Sequence, residues 1–206
     1  MKLYYSENLN PRVAVAVARY LNSPLEFIRA SPRDPDEEEA FRTINPNTLV
    51  PVLVEGEGEN QTRLWEADAI ACRLSSLAQS DFWPGANDLT ELIMWLSWSA
   101  YHFVPAGEVY YVENIIGPRY FDQTPDQDRL NKAAGEFHRY AKVLGDTLAT
   151  RRWLINNRVS YADFRAASVL PFAQEAKLPL EGYRHIQEWV DRLNQIDSWR
   201  APFDGL

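Results

Sequence analysis

Hydrophobic positions change their period once along this chain. Up to about residue 79 they come in short runs cut by Pro, Asn and Gly, and from residue 88 they recur at helical spacing to the end. Lys2-Leu3-Tyr4-Tyr5 is a β-prone opening strand. Asn10-Pro11 then pairs a favoured N-cap with a favoured first helical residue, which predicts a helix from Pro11. Val13-Ala14-Val15-Ala16-Val17 alternates as a strand does, yet its alanines and its continuation through Arg19-Tyr20-Leu21 favour helix. Residues 25–30 read as a second strand, so the opening unit implies a right-handed parallel crossover. An acidic helix is expected over 34–44. Val50-Pro51-Val52-Leu53-Val54 and Thr62-Arg63-Leu64-Trp65, on either side of a loop at 56–60, read as a hairpin. Proline cannot donate to a ladder, so Pro51 must start its strand. A helix from Glu66 to about Ala78 follows, with Ile70, Leu74 and Leu77 on its buried face. The order is β-α-β-α-β-β-α.

Ser-Asp-Phe-Trp-Pro-Gly-Ala-Asn at 80–87 reads as a linker, which divides the chain into domains at 1–79 and 88–206. The second domain is expected to be an all-helical bundle. Leu130, Ala134, Phe137, Ala141, Leu144 and Leu148 form a packing stripe, and Ile186, Val190 and Leu193 with Trp189 mark an amphipathic last helix. Ser160-Tyr161-Ala162-Asp163 fits a reciprocal cap, with Asp at the place of the more usual Glu or Gln.

Composition narrows the possibilities. The chain has 206 residues and a net charge of −8, which opposes attraction to phosphate backbones and anionic membranes, so neither nucleic acid nor membrane is expected as a partner. No apolar stretch is long enough to span a bilayer, and Met1 leads straight into the first strand without a signal segment. Cys72 stands alone, so no internal disulfide or multi-cysteine metal site is available, and no metal is expected. A cytoplasmic, reducing location follows from these readings.

Asn45-Pro46-Asn47-Thr48-Leu49-Val50-Pro51-Val52-Leu53 resembles the loop and cis-proline strand of glutathione transferases. Leu64-Trp65-Glu66-Ala67-Asp68-Ala69-Ile70 is similar to the family motif whose Glu-Ser pair opens a helix, with Ala67 at the serine position. The Ser160–Asp163 cap and the segment from Tyr183 to Trp199 resemble the family's core-helix cap and last helix, so the likeness spans nearly the whole chain. It implies a thioredoxin-like N-terminal domain, a helical C-terminal domain, a homodimer, and glutathione as cosubstrate. It also implies a cis Val50–Pro51 bond and a glutathione site made by Leu49, Val50, Pro51, Glu66 and Ala67. Val50 would pair its main chain with the cysteine of glutathione, and Glu66 with the helix N-terminus would hold the γ-glutamyl end. The same residues have plainer readings, since Glu66 suits the first turn of any helix.

The activating Ser or Cys of related enzymes falls at Asn10, whose amide can donate to a thiolate but also serves as an ordinary N-cap. Tyr5 and Ser6, at the end of the first strand, are the other candidate donors. Cys72 reads as a small buried hydrophobe. Trp98, Tyr101 and His102 concentrate aromatic surface where the resemblance places the pocket for a small hydrophobic electrophile, and His102 equally suits a packing role. Three functions remain open: a transferase, a glutathione-dependent disulfide or peroxide reductase, and a binding protein of the same fold that lacks catalysis.

Overall fold

The structure, a computed structural model, describes residues 1–206 with the exception of Glu59. The chain divides into two units, one of residues 1–83 with 196–206 and one of residues 84–195. The division falls inside the 80–87 linker, but the second unit ends at 195 instead of 206.

The first unit is a mixed four-stranded sheet of order β2-β1-β3-β4, built from β1 (Lys2–Tyr5), β2 (Glu26–Arg29), β3 (Val52–Glu55) and β4 (Thr62–Trp65). β1 runs parallel to β2 and antiparallel to β3, and β3 runs antiparallel to β4. Its helices are α1 (Leu9–Tyr20), α2 (Pro35–Arg42), α3 (Ala67–Leu77) and, from the chain's end, α10 (Asp197–Arg200). Tyr4 pairs with Val52 in the ladder and packs with Phe41 of α2, so this face of the sheet is covered by α2. Leu3 pairs with Leu53, and both are wholly buried on the opposite face.

Val13 through Ala18 are all wholly buried, because α1 packs on β1, α3 and α10 at once. A helix covered on every side is apolar all round, which explains why its sequence alternates without showing a polar face. α1 starts at Leu9 with Asn8 at the N-cap, so Asn10 is not the cap and lies inside the first turn. Asp34 does cap α2, its side chain accepting from the Asp36 N–H at 3.0 Å ahead of Pro35. On α3 the buried face is Ala67, Ile70, Ala71, Leu74 and Ser75, while Leu77 is exposed. The Val50–Pro51 peptide bond is cis.

The second unit opens with one continuous helical run made of α4 (Leu89–Trp98), α5 (Val104–Tyr111) and α6 (Gly117–Phe121), joined by π-helical turns at Ser99–Phe103 and Val112–Ile116. The prolines account for both turns. Pro105 and Pro118 have no N–H, and their rings meet the carbonyls four residues back, those of Tyr101 and Asn114, each inside a π turn whose wider winding relieves the clash.

α7 (Gln127–Leu148) crosses this run, with Leu130, Ala133, Phe137, Ala141, Leu144 and Leu148 buried and Ala134 only half-buried. The Phe137 ring lies 5.4 Å from Phe103 and 5.9 Å from Tyr110, the aromatic centre of the unit. α8 (Tyr161–Ala166) carries the reciprocal cap of Ser160 and Asp163. α9 (Arg184–Leu193) buries Ile186, Trp189 and Leu193, with Val190 half-buried. The single last helix expected to reach Trp199 is thus two helices, of which the second, α10, belongs to the first unit.

Candidate functional site

Strand register gathers the candidate residues of the first unit. Tyr4 pairs with Val52 and Val52 with Trp65, so the carboxyl ends of β1 and β4 and the start of β3 lie at one edge of the sheet. Ser6, Pro51 and Glu66 are the next residues outward on those three strands. α1 and α3 both begin there, so two helix N-termini with free N–H groups open at the same edge, which favours an anion.

Asn45 builds the approach to Val50. It is buried, its Nδ2 donates to the Leu49 carbonyl at 2.8 Å, and its Oδ1 accepts from the Asn47 N–H at 3.0 Å. The Thr48 N–H donates to the Asn45 carbonyl at 2.9 Å, which closes the turn with Thr48 at φ +50°. Sequence reasoning took Asn45 as one of three turn-formers; its distinguishing role depends on burial, which no local signal reveals. Asn45→Ala is expected to cost about 2–3 kcal/mol in urea unfolding, because it leaves the Leu49 carbonyl and the Asn47 N–H without partners. Beyond that turn, the N–H and C=O of Val50 make no hydrogen bond among the described residues, which leaves a main-chain donor and acceptor open as on a sheet edge.

Glu66 stands at φ +76° and ψ 128° just before α3, with an exposed side chain that makes no cap hydrogen bond. A non-glycine residue there is strained by about 1–3 kcal/mol, and such strain concentrates at binding sites. Ala67, the first residue of α3, is buried and presents no hydroxyl. Leu49 is exposed and Pro51 buried.

The three candidate donors differ in setting. Asn10 is exposed in the first turn of α1, and its side chain has no partner among the described residues. The Ser6 hydroxyl oxygen is buried and unpartnered. The Tyr5 ring is buried, stacked on Phe203 at 5.6 Å and edge-on to Phe27 at 6.4 Å, so it serves the packing of the C-terminal segment. Cys72 is exposed on α3, not buried as expected; partial burial still pushes its thiol up, which makes it a weak nucleophile.

In the second unit a groove of about 390 Å³ runs between the first π turn with α5 and α7. Tyr101, His102, Pro105, Ala106, Lys132 and Tyr140 are among its lining residues. His102 stacks on Tyr140 at 4.9 Å. Trp98 is not among the lining residues; it stacks on Phe103 at 5.8 Å and meets Tyr140 edge-on at 6.2 Å. The π turn, which no sequence period announces, carries Tyr101 and His102.

Known proteins match both units. The glutathione S-transferase C-terminal domain family matches residues 99–197. A glutathione S-transferase domain-containing protein of Dictyostelium discoideum is 29% identical over 164 residues, which is 77% of this chain and 61% of its own. The crystal structure of a glutathione S-transferase from Rhodospirillum rubrum F11 superposes with a TM-score of 0.86 at 21% identity, covering 100% of this chain and 92% of that one. Residues 99–197 belong to the glutathione S-transferase C-terminal domain family, and the chain as a whole has the glutathione S-transferase fold.

The first unit is accordingly the thioredoxin-like domain of a glutathione S-transferase fold, and the second its helical domain. A glutathione transferase family member from Pseudomonas fluorescens, solved with two glutathione bound, shares this fold with a TM-score of 0.80 at 18% identity, covering 98% of this chain and 91% of that one. The chain spans about three fifths of the length of the Dictyostelium relatives it matches. Among the described residues, no group of three or more His, Cys, Asp or Glu could hold a metal ion. No described helix is long and apolar enough to cross a membrane.

Proposed function

We propose that this protein is a cytoplasmic glutathione transferase, which attacks small hydrophobic electrophiles with the thiolate of glutathione. One observation carries the reading: a single sheet edge gathers the open main chain of Val50, the strained Glu66 and the N-termini of α1 and α3. Val50 pairs with the cysteine backbone of glutathione as a short added strand, Leu49 and Pro51 hold that segment extended, and the Glu66 carboxylate accepts from the γ-glutamyl ammonium. The N-terminus of α3 at Ala67 receives the γ-glutamyl carboxylate. This leaves the thiol near the start of α1. An ordinary thiol of pKa about 8.5 needs about 2.7 kcal/mol of differential stabilisation to titrate two units lower. The Asn10 amide and the free N–H groups of α1 supply it, with the Ser6 hydroxyl, after a side-chain rotation, as the alternative donor. Tyr101 and His102, with Trp98 behind them, receive the electrophile.

A homodimer is part of the proposal and is supported by the exposed Ile93 and Met94 on α4. A second reading is disulfide or peroxide reduction in which glutathione itself carries the redox chemistry, since Cys72, the one cysteine, lies within α3 and away from the start of α1.

Calorimetric titration with glutathione, paired with the ultraviolet absorbance of the bound thiolate against pH, tests the proposal. Binding with a thiolate midpoint well below 8.5 is the expected result, and Asn10→Ala is expected to raise that midpoint by about one unit. An unchanged midpoint transfers the role to Ser6, tested by Ser6→Ala, and then to Tyr5, tested by Tyr5→Phe. No binding at millimolar glutathione would remove the enzyme reading and leave a binding protein of the same fold. Turnover of electrophiles against turnover of model disulfides separates transferase from reductase, and Cys72→Ser is expected to leave either intact.

A further inference from the structure

We propose that residues 196–206 clamp the turn between β1 and α1, with Trp199 and Phe203 as positioning residues that hold the candidate donors Ser6 and Asn10 in place. The part this plays in turnover rests on the glutathione site proposed above. The clamp itself is a property of the first unit alone.

Two contacts of the segment bracket the turn. Ahead of it, the Tyr5 ring at the end of β1 is stacked on Phe203, with centroids 5.6 Å apart and planes 12° apart. Beyond it, the Arg12 Nη2 donates to the Trp199 carbonyl, and the guanidinium carbon lies 4.7 Å from the centre of the Trp199 ring. Trp199 is buried, and α10 packs along α1. Arg19, in the last turn of α1, fastens the segment on either side of Phe203. Its Nη1 donates to the Pro202 carbonyl at 2.9 Å and to the Asp204 carbonyl at 2.6 Å.

The turn has few anchors of its own. Glu7 and Asn8 are exposed, Asn8 makes no side-chain cap hydrogen bond, and the Ser6 hydroxyl oxygen is buried without a partner. The ion pair of Glu7 with Arg29, at 3.1 Å, is exposed on both sides and contributes little. Its remaining anchors are the buried Leu9 and two main-chain bonds of 2.9 Å, from the Ala30 N–H to the Tyr5 carbonyl and from the Arg12 N–H to the Asn8 carbonyl. A stacked ring and a hydrogen bond from a buried charged donor each outweigh an exposed ion pair. Ser6 is bonded directly to Tyr5, and Asn10 lies within a turn of Arg12, so a shift of either bracket moves a candidate donor. Misplacing a reacting group by about 1 Å can cost about 100-fold in rate.

The experiment compares amide hydrogen exchange from Ser6 to Asn10 in the full chain, without ligand, for the parent, Phe203→Ala and Phe203→Tyr. Val54→Ala, in the buried cluster with Phe41 of α2, is the control for lost stability. Phe203→Ala is expected to speed exchange in the turn about tenfold while β3 and α3 keep the parent's rates, and Phe203→Tyr, which keeps the ring, to restore the turn. Val54→Ala is expected to lower the urea midpoint without singling out the turn. With glutathione and chlorodinitrobenzene, Phe203→Ala is expected to lower kcat about tenfold at nearly unchanged KM for glutathione, and Val54→Ala to leave both as in the parent. Should Phe203→Ala not fold, Arg19→Met, which frees the Pro202 and Asp204 carbonyls, gives the same reading. Turn amides that exchange alike in Phe203→Ala and the parent overturn the clamp, whatever glutathione does. Faster exchange with an unchanged kcat overturns the positioning role. If the unmutated protein binds no glutathione, the site proposed above falls and the positioning role with it, while the exchange rates still decide the clamp.

Discussion

Asp163→Ala is expected to leave residues 84–195 unable to fold. The carboxylate is wholly buried at the start of α8 and accepts four hydrogen bonds: Oδ1 from the Leu154 N–H and the Trp189 Nε1–H, both at 3.0 Å, and Oδ2 from the Ser160 N–H at 2.9 Å and the Ser160 hydroxyl at 3.2 Å. It therefore ties α8 to the 154 loop and to α9. Each donor left buried and unsatisfied costs about 1–3 kcal/mol, so the loss is at least about 4 kcal/mol against a total stability of about 5–15 kcal/mol. Far-ultraviolet circular dichroism and urea midpoints check this, and a well-folded Asp163→Ala protein would contradict it. Ser160→Ala, which removes one donor and the hydroxyl half of the cap, is expected to cost only about 1 kcal/mol.

The same carboxyl has a pH signature. Burial pushes it up to about 6, while the hydrogen bonds from Leu154, Ser160 and Trp189 pull it down. A folded-state pKa above the ordinary value of 3.8 means that the fold favours the protonated form. Its stabilising contribution is therefore fully present below about pH 4 and lost as the pH rises through about 6. Carbon-detected NMR of the side-chain carboxyls is expected to show Asp163 titrating near 6. A midpoint near 3 would mean that the hydrogen bonds outweigh desolvation.

Glu66→Gly is expected to make the protein more stable and its glutathione site worse. Glycine occupies φ +76° without steric penalty, which relieves about 1–3 kcal/mol of strain, while its greater freedom in the unfolded chain takes back about 0.5–1 kcal/mol. The net expectation is a gain of about 1 kcal/mol in urea unfolding. A lost hydrogen bond to a charged group weakens binding by about 1.5–3 kcal/mol, roughly 10- to 150-fold in Kd by calorimetry. Glu66→Gln separates the two effects: it keeps the strained backbone and the parent's stability but loses the charge, so only affinity falls. If the glycine variant gains no stability, the backbone at 66 is not strained. If neither variant weakens glutathione, Glu66 lies outside the site.

Much of this fold is written in local signals. The order β-α-β-α-β-β-α, the hairpin that begins beyond Pro51, the linker before the helices and the Ser160–Asp163 cap all follow from side chains acting on their own stretch of backbone. Proline without an N–H, a cap three residues ahead of its acceptor and a change of hydrophobic period need no distant partner to be recognised. The stripe of α7 was legible for the same reason, apart from the exchange of Ala133 for Ala134, because a mean helical period does not fix which of two adjacent alanines faces inward.

What stayed hidden depends on residues far apart in the chain. α1 begins at Leu9 with Asn8 at its N-cap, although Asn10-Pro11 offers an equally good local start. The return of residues 196–206 to the first unit rests on contacts such as Arg19 with the carbonyls of Pro202 and Asp204, nearly two hundred residues away. The burial of Asn45 and Arg12 is likewise an outcome of what packs around them. Residue types and their spacing named the candidates, because propensity, capping and turn chemistry act over a few residues. Only the folded chain decided which of them meet at one edge of the sheet, because strand register and burial are set by partners that no local stretch of sequence contains.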